Sequence, residues 1–202
     1  KGKNNAKHTP KLSQRTVIQV KEKNQDTLEK VAVIAAKAKM MEKLTDNMLK
    51  ATLEELEVLR VEPAEESSLV IEEMFAELRY YGEILLLNRI PECFVHIDRM
   101  RLSQVIDNIV NNAFKYAGGV VTVSFKEADD GVYILIQDKG CGVPEEELAL
   151  LCEKFYRGEN ARGKEGAGLG LYLAKMFMER MGGGMEYGND EGFFVRLYVK
   201  KV

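Results

Sequence analysis

The first sixty residues carry apolar side chains at helical spacing. From Asp26 to Arg60 the sequence contains neither Gly nor Pro, and its apolar positions recur every three, four or seven residues, which predicts one long amphipathic helix. A shorter helical pattern runs from Leu12 to Val20, so the two segments together predict an antiparallel helical hairpin, with an isolated linker helix as the alternative. The apolar positions of the long helix are Leu28, Val31, Ile34, Met41, Leu44, Met48, Leu49, Leu53, Leu56 and Leu59.

A helix of this length cannot bury its own apolar stripe, so it needs a partner helix from this chain or from another copy. Two hairpins that pair would form a four-helix bundle and a twofold-symmetric homodimer. The stripe that would build this bundle contains Ile34, Met41, Leu44 and Met48.

The chain changes character after residue 60, since all but one of its 17 glycines lie beyond that point. Residues 61–68 (VEPAEESS) interrupt the helical pattern, and we interpret them as a hinge. Beyond them, helical patterns alternate with short runs rich in β-branched residues, which predicts a two-layer α/β sandwich. The expected domains are therefore a helical hairpin over 1–62 and a sandwich over 67–202, an α+β organisation. Helices are predicted over Leu69–Tyr80, Arg101–Tyr116 and Leu169–Met181, and strands over Cys93–Ile97, Val120–Phe125, Val132–Gln137 and Phe193–Val199.

Charge and cysteine content narrow the classes of function. The chain has 29 basic and 32 acidic residues and a formal net charge of -3, whereas a nucleic-acid-binding protein would normally carry a basic surplus. No apolar run approaches the roughly 20 residues that span a bilayer. Cys93, Cys141 and Cys152 fit no zinc-binding spacing, so we expect three reduced thiols.

The predicted helix Arg101–Tyr116 has a polar face with unusual chemistry. Gln104, Asn108 and Asn112 follow one another at intervals of four residues, and Lys115 lies three residues after Asn112. An amide side chain can offer an oxygen to Mg²⁺ and an N–H to phosphate, while a lysine can neutralise phosphate charge. For this helix taken alone, a solvated polar face is the simpler interpretation.

Two glycine-rich stretches follow. In the first, a predicted buried strand runs into Asp138, Gly140 and Gly142; the glycines permit close backbone approach to a ligand, and the Asp can accept a hydrogen bond from an exocyclic amine. A turn is an equally plausible interpretation of this segment. In the second, the glycines of residues 163–170 open a predicted helix, whose N-terminus is a ready anion site. Their spacing matches neither a dinucleotide-binding fingerprint nor a Walker A loop.

In this order and spacing, the segments resemble the ATP-binding domain shared by histidine kinases, DNA gyrase, Hsp90 and MutL. Residues 104–116 look like the kinase version of the N box, and residues 138–142 look like the G1 box. Residues 153–158 (EKFYRG) look like the F box, and residues 166–171 (GAGLGL) look like the G2 box. The lead-in at residues 98–102 also fits, and the resemblance covers residues 67–202.

The resemblance implies a site for ATP with Mg²⁺. Asn112 would bind the Mg²⁺ ion, Asn108 would lie near the phosphates in a catalytic position, and Lys115 and Tyr116 would contact phosphate and nucleotide. Asp138 would accept a hydrogen bond from the adenine amino group, and residues 143–165 would form a mobile ATP lid. The other implied nucleotide-binding residues are Gly140, Gly142, Phe155, Arg157, Gly166, Gly168, Leu169, Gly170 and Leu171.

The implied activity is that of a protein-histidine kinase, which phosphorylates itself on histidine and then passes the phosphoryl group to an aspartate of a response-regulator receiver domain. The family's acceptor pattern, H-[E/D]-x-x-[T/N]-P, is only partly present as His8-Thr9-Pro10, because the acidic neighbour and the two positions after it are missing. That neighbour would normally serve as a general base. His8 is the only histidine of the predicted hairpin, and it is either the phosphoacceptor or a terminal residue without a role.

Two alternatives remain open beside the active kinase. A degenerate kinase would bind ATP and signal only by docking. A gyrase-type or Hsp90-type ATPase would usually carry Glu at the position of Asn108 and would lack the helical hairpin. As a kinase, the chain would be the cytoplasmic part of a bacterial inner-membrane sensor, anchored through a segment outside this sequence, and it would not bind nucleic acid.

Overall fold

The computed structural model describes residues 27–28, 30–41, 60–161, 164 and 166–202. The chain divides into two units, Lys1–Arg60 and Val61–Val202. In the first unit, residues 27–28 and 30–41 are helical, and this helix lies within the predicted long one. Its apolar side chains Leu28, Val31, Ile34 and Met41 are exposed. Residues 60–62, the end of the predicted hairpin, are described and belong to no helix or strand. His8 and the remaining residues of the predicted hairpin lie outside the described residues.

The second unit alternates strands and helices. Its strands are β1 (Ala64–Ser67), β2 (Ile84–Leu86), β3 (Phe94–Ile97), β4 (Val121–Ala128), β5 (Gly131–Gln137), β6 (Gly184–Asn189) and β7 (Phe193–Lys200). Its α-helices are α1 (Leu69–Glu77), α2 (Arg99–Tyr116), α3 (Glu145–Leu148) and α4 (Gly170–Arg180), with short 3₁₀ turns at Leu78–Tyr80 and Glu159–Ala161.

Five of the strands form one sheet in the order β2-β4-β5-β7-β6. Strand β2 runs parallel to β4, and the other neighbours are antiparallel. Alternate residues of β4, β5 and β7 are buried, as expected for a sheet with one covered face. Strands β1 and β3 form a separate antiparallel pair.

Helix α2 covers the buried face of the sheet and carries the polar face described above. Asp98 caps it, because its side chain accepts a hydrogen bond from the Arg101 N–H at 3.1 Å. One stripe of the helix is fully buried and packs into the core, which leaves the Asn face on the other side. The buried stripe contains Leu102, Val105, Ile106, Ile109, Val110 and Ala113. The α/β part of the predicted fold is thereby confirmed.

The structure corrects the sequence interpretation at three strands. The interpretation of residues 61–68 as a hinge is wrong for Ala64–Ser67, since these residues form β1 and pair with β3. Strands β2 and β6 were not predicted at all. Strands β1 and β2 form because partners that are distant in sequence, β3 and β4, supply their backbone hydrogen bonds. Strand β6 pairs with β7, the next strand along the chain, and its sequence (GMEYGN) has weak strand composition.

Two further features concern the residues that the structure describes. No helix among them has both the length and the apolar character needed to cross a bilayer. Cys93, Cys141 and Cys152 are free thiols.

Candidate functional site

A cleft of about 530 Å³ opens between α2, the loop after β5 and the glycine-rich segment before α4. Of the fifteen site residues predicted from the sequence, thirteen line this cleft. Phe155 is not among the lining residues, and His8 lies outside the described part of the chain. The thirteen are Asn108, Asn112, Lys115, Tyr116, Asp138, Gly140, Gly142, Arg157, Gly166, Gly168, Leu169, Gly170 and Leu171.

The helical period of α2 places the amides of Asn108 and Asn112 in the cleft. The two residues are one turn apart and half-buried. A Cβ placed on Gly170 would lie 3.4 Å from Asn108 Oδ1, so the first residue of α4 approaches this amide closely. The cleft therefore brings side-chain amides of α2 next to the N-terminus of α4.

Asp138 is the most enclosed polar residue of the cleft, with only 5% of its surface exposed. Its Oδ1 accepts hydrogen bonds from the backbone N–H of Gly140 at 2.8 Å and of Phe193 at 3.1 Å. Its Oδ2 accepts none from the residues that the structure describes. The carboxylate is thus held by the backbone through one oxygen, and the other oxygen remains as an acceptor in the cleft.

The glycine-rich segment before α4 packs on the backbone around Phe155. The Phe155 N–H donates to the Gly168 carbonyl at 3.0 Å, and Phe155 has φ of 65°, a conformation that is uncommon for a residue with a side chain. A Cβ on Gly168 would lie 2.6 Å from the Tyr156 carbonyl oxygen. Phe155 therefore holds the glycine-rich segment in place from outside the cleft.

Basic side chains gather around Tyr116. The Lys115 ammonium lies 5.3 Å and the Lys164 ammonium 4.9 Å from the centre of its ring. Lys164 Nζ also donates to the Lys115 carbonyl at 2.5 Å. Arg157 donates to the carbonyls of Ala161, at 2.7 Å, and of Lys164. A Cβ on Gly166 would lie 3.0 Å from Lys115 Nζ, so this positive charge lies beside the glycine-rich segment that precedes α4.

That end of the cleft also has the backbone of an anion site. Helix α4 begins at Gly170, and the preceding residue, Leu169, provides no side-chain hydrogen bond to the first turn. The first N–H groups of an α-helix have no partner inside the helix and carry its positive dipole end. Together with the Lys115 ammonium, they can bind a phosphate.

The acidic side chain of Glu147 also lines the cleft. The Glu147 carboxylate accepts a hydrogen bond from the Glu159 N–H at 3.2 Å. Partial burial, and then this carboxylate, raises the pKa of Tyr156. In the described residues no group of three or more His, Cys, Asp or Glu side chains could hold a metal ion.

Sequence reasoning missed the apolar floor of the cleft, formed by Ile136, Phe193 and Val195. Two of them, Ile136 and Val195, are buried positions of β5 and β7. The alternation of apolar residues along these strands is the signal that could have placed them on the inner face. With the carboxylate of Asp138 beside it, this floor can hold a flat heteroaromatic ring that carries an amine.

The model of the histidine kinase-, DNA gyrase B-, and HSP90-like ATPase family matches residues 97–202. The chain is similar to the sensor histidine kinase WalK of Bacillus subtilis, with 37% identity over 50% of this chain and 18% of that protein. It is also similar to the sensor protein SrrB of Staphylococcus aureus, with 28% identity over 85% of this chain and 31% of that protein. The chain thus spans less than a third of the length of these relatives.

A solved structure has the same fold. The mycobacterial sensor histidine kinase MprB superposes with a TM-score of 0.57 and 25% identity, over 70% of this chain and 98% of that one.

Proposed function

Because the chain belongs to the histidine kinase-, DNA gyrase B-, and HSP90-like ATPase family, we propose that it is the catalytic region of a sensor histidine kinase. It binds ATP, phosphorylates itself on histidine and passes the phosphoryl group to an aspartate of a response-regulator receiver domain. The observation that carries this proposal is the single cleft in which residues of the N, G1, F and G2 boxes meet.

The adenine ring lies on the apolar floor, and its amino group donates to Asp138 Oδ2. Gly140 and Gly142 lie beside the ring, where their small size allows the backbone to approach it. The free oxygen of Asp138 and the enclosed position of this carboxylate support the assignment.

The phosphates lie towards α4. The backbone N–H groups of Gly168, Leu169, Gly170 and Leu171 surround them, following the preference of anions for helix N-termini. Lys115 neutralises phosphate charge. Residues 143–165 act as the lid over this end, in which Arg157 holds the backbone around Lys164.

Gly166, Tyr116 and Phe155 complete the proposed site. A Cβ on Gly166 would lie 3.0 Å from Lys115 Nζ, so this glycine lets the loop pass close to the ammonium. Tyr116 contacts the nucleotide beside the basic cluster, while Phe155 acts through the backbone of Gly168.

The amide oxygen of Asn112 is the residue group that fits a Mg²⁺ ion. A neutral oxygen ligand on a half-buried side chain suits a cation that keeps several waters and takes its remaining ligands from phosphates. When bound, this ion would neutralise the charge that develops on the phosphates. Asn108, one turn earlier, donates its amide N–H towards the same phosphates.

The phosphoacceptor is His8, the only histidine of the predicted hairpin. Its imidazole nitrogen attacks the γ-phosphorus, the bond from that phosphorus to the β–γ bridging oxygen breaks, and ADP leaves. The imidazole proton passes to solvent or to a base, since Thr9 cannot accept it. The reaction depends mainly on positioning and charge stabilisation.

The helix of the first unit indicates how the chain would associate with partners. Its exposed apolar side chains support a homodimer in which two hairpins form a four-helix bundle. The receiver domain docks on the same hairpin. In the whole protein, a segment outside this sequence anchors the kinase to the bacterial inner membrane, with this region in the cytoplasm.

The nucleotide site is tested by calorimetric titration of the chain with ATP and Mg²⁺. Asn112→Ala should weaken the binding at least about tenfold, because it removes a ligand to the cation. The matched control is Asn88→Ala, the same change of side chain at an exposed position outside the cleft, and it should leave the affinity unchanged. Equal affinities in all three proteins would refute the site.

A further inference from the structure

The side chain of Asn189, the last residue of β6, holds the loop that follows Asp138. Its Oδ1 accepts a hydrogen bond from the Val143 N–H at 2.9 Å, and its Nδ2 donates to the Val143 carbonyl at 2.7 Å. Gly142 has φ of +72°, and a Cβ there would lie 2.5 Å from Asn189 Oδ1. The Asn189 amide thus makes the same two hydrogen bonds with the Val143 backbone that a neighbouring strand would make. Gly142 has no side chain, so the loop backbone can pack directly against this amide.

The other end of the same loop is held by the same hairpin. Asn189 pairs with Phe193 in the register of β6 and β7. Phe193 accepts a hydrogen bond from the Asp138 N–H at 3.0 Å and donates to Asp138 Oδ1 at 3.1 Å. Both ends of loop 138–143 are therefore attached to the β6–β7 hairpin. The backbone of Phe193 holds Asp138, and the side chain of Asn189 holds Val143.

We propose that Asn189 is a positioning residue for nucleotide binding, which acts by fixing the loop that presents Asp138 to the base. This inference rests on the proposed function, in which Asp138 recognises the adenine amine. Without the two hydrogen bonds, the glycine-containing loop gains conformations that do not bind, and the nucleotide must select the competent one. The apparent affinity for the nucleotide is the intrinsic affinity multiplied by the fraction of molecules whose loop is in the binding conformation.

The chain contains a matched control for this clamp at the opposite edge of the sheet. Asn88, which follows β2, donates from Nδ2 to the Phe125 carbonyl at 2.7 Å and accepts from the Phe125 N–H at 2.9 Å. Asn88 and Asn189 are both exposed, and Asn88 does not line the cleft. Asn88→Ala therefore removes the same pair of hydrogen bonds without touching the loop.

The experiment measures the affinities of the full chain and of the Asn189→Ala and Asn88→Ala variants for ADP and for inosine diphosphate. Inosine diphosphate carries a carbonyl where ADP has the amine. Asn189→Ala should lower the affinity for ADP about fivefold to tenfold, the factor that one ordinary hydrogen bond contributes. Inosine diphosphate has no amine for Asp138 and contacts only the loop backbone, so its affinity should fall by a smaller factor and the ratio of the two affinities should fall.

Asn88→Ala should leave both affinities and their ratio unchanged, while urea unfolding shows a similar loss of stability in the two variants. If Asn189→Ala does not fold, Asn189→Asp replaces it, because its carboxylate keeps the bond from the Val143 N–H and loses only the one to the carbonyl. If the wild type prefers ADP and Asn189→Ala has the same ratio of affinities for ADP and inosine diphosphate, the positioning role of Asn189 is wrong and the proposed function stands. A wild type that does not bind ADP would overturn the proposed function with it.

Discussion

Substitution of Asp138 by Asn and by Ala separates nucleotide recognition from folding. Asn has nearly the same shape as Asp, so its carbonyl oxygen can take the place of Oδ1 and keep the hydrogen bonds from the N–H groups of Gly140 and Phe193. Its amide nitrogen then stands where Oδ2 stood, and it can only donate. Ala removes both oxygens and leaves the two N–H groups without their acceptor.

The magnitudes follow from these contacts. Each partly buried N–H left unpaired costs about 1 kcal/mol, so Asp138→Ala should lower the free energy of unfolding by about 2 kcal/mol. Asp138→Asn should cost less than about 1 kcal/mol in stability, because the two bonds persist. For binding, a hydrogen bond to a charged acceptor contributes about 1.5–3 kcal/mol, so Asp138→Asn should raise the Kd for ADP at least about tenfold.

Calorimetric titration with ADP and urea unfolding on the same three proteins provide the assay. Asp138→Asn should lose affinity and keep its stability, whereas Asp138→Ala should lose both. A Kd for ADP in Asp138→Asn equal to that of the wild type would refute the role of Oδ2. A loss of stability in Asp138→Asn as large as in Asp138→Ala would refute the account of how the carboxylate is held.

Three further outcomes are expected. Cys141 is exposed and lines the cleft, so ADP should slow its alkylation by iodoacetamide, measured by peptide mass spectrometry, while the rate at Cys93 stays the same. The Ile90 N–H, at 2.8 Å, and then the Arg89 guanidinium lower the pKa of Glu72. Glu72→Gln should therefore lose stability to urea at pH 7, and its difference from wild type should shrink as the pH falls below the ordinary pKa range of a glutamate, where the wild-type carboxylate also becomes protonated. Sedimentation should show a dimer at micromolar concentration, and a monomer there would contradict the bundle.

The elements that were predicted correctly are those whose pattern is local. The alternation of β4, β5 and β7 and the buried stripe of α2 have the periods of the structures that they form. Strand β1 (AEES) and strand β2 (ILL) have no such period, and β6 is bounded by glycine and asparagine. The places of β1 and β2 are set by pairing with strands that are distant in sequence, which no local pattern records. Strand β6 pairs with the neighbouring β7, and it was missed because its composition is weak for a strand.

The same distinction applies to the site. Glycines and asparagines at fixed spacing made the N, G1 and G2 boxes visible in the sequence. The role of Asn189 could not be predicted from a local pattern, because its contact with Val143 joins residues 46 positions apart. Phe155 was assigned to the nucleotide itself, yet its described contact is with the backbone of Gly168.

The fate of the γ-phosphate tests the central claim most directly. The 202-residue chain is incubated with Mg²⁺ and ATP labelled at the γ-phosphate, and the label is measured in protein, in free phosphate and in remaining ATP. We expect an acid-labile label on the protein, and His8→Gln should abolish this label. Label released only as free phosphate would contradict it and indicate a gyrase-type ATPase, and bound ATP that stays intact would indicate a kinase that signals only by docking.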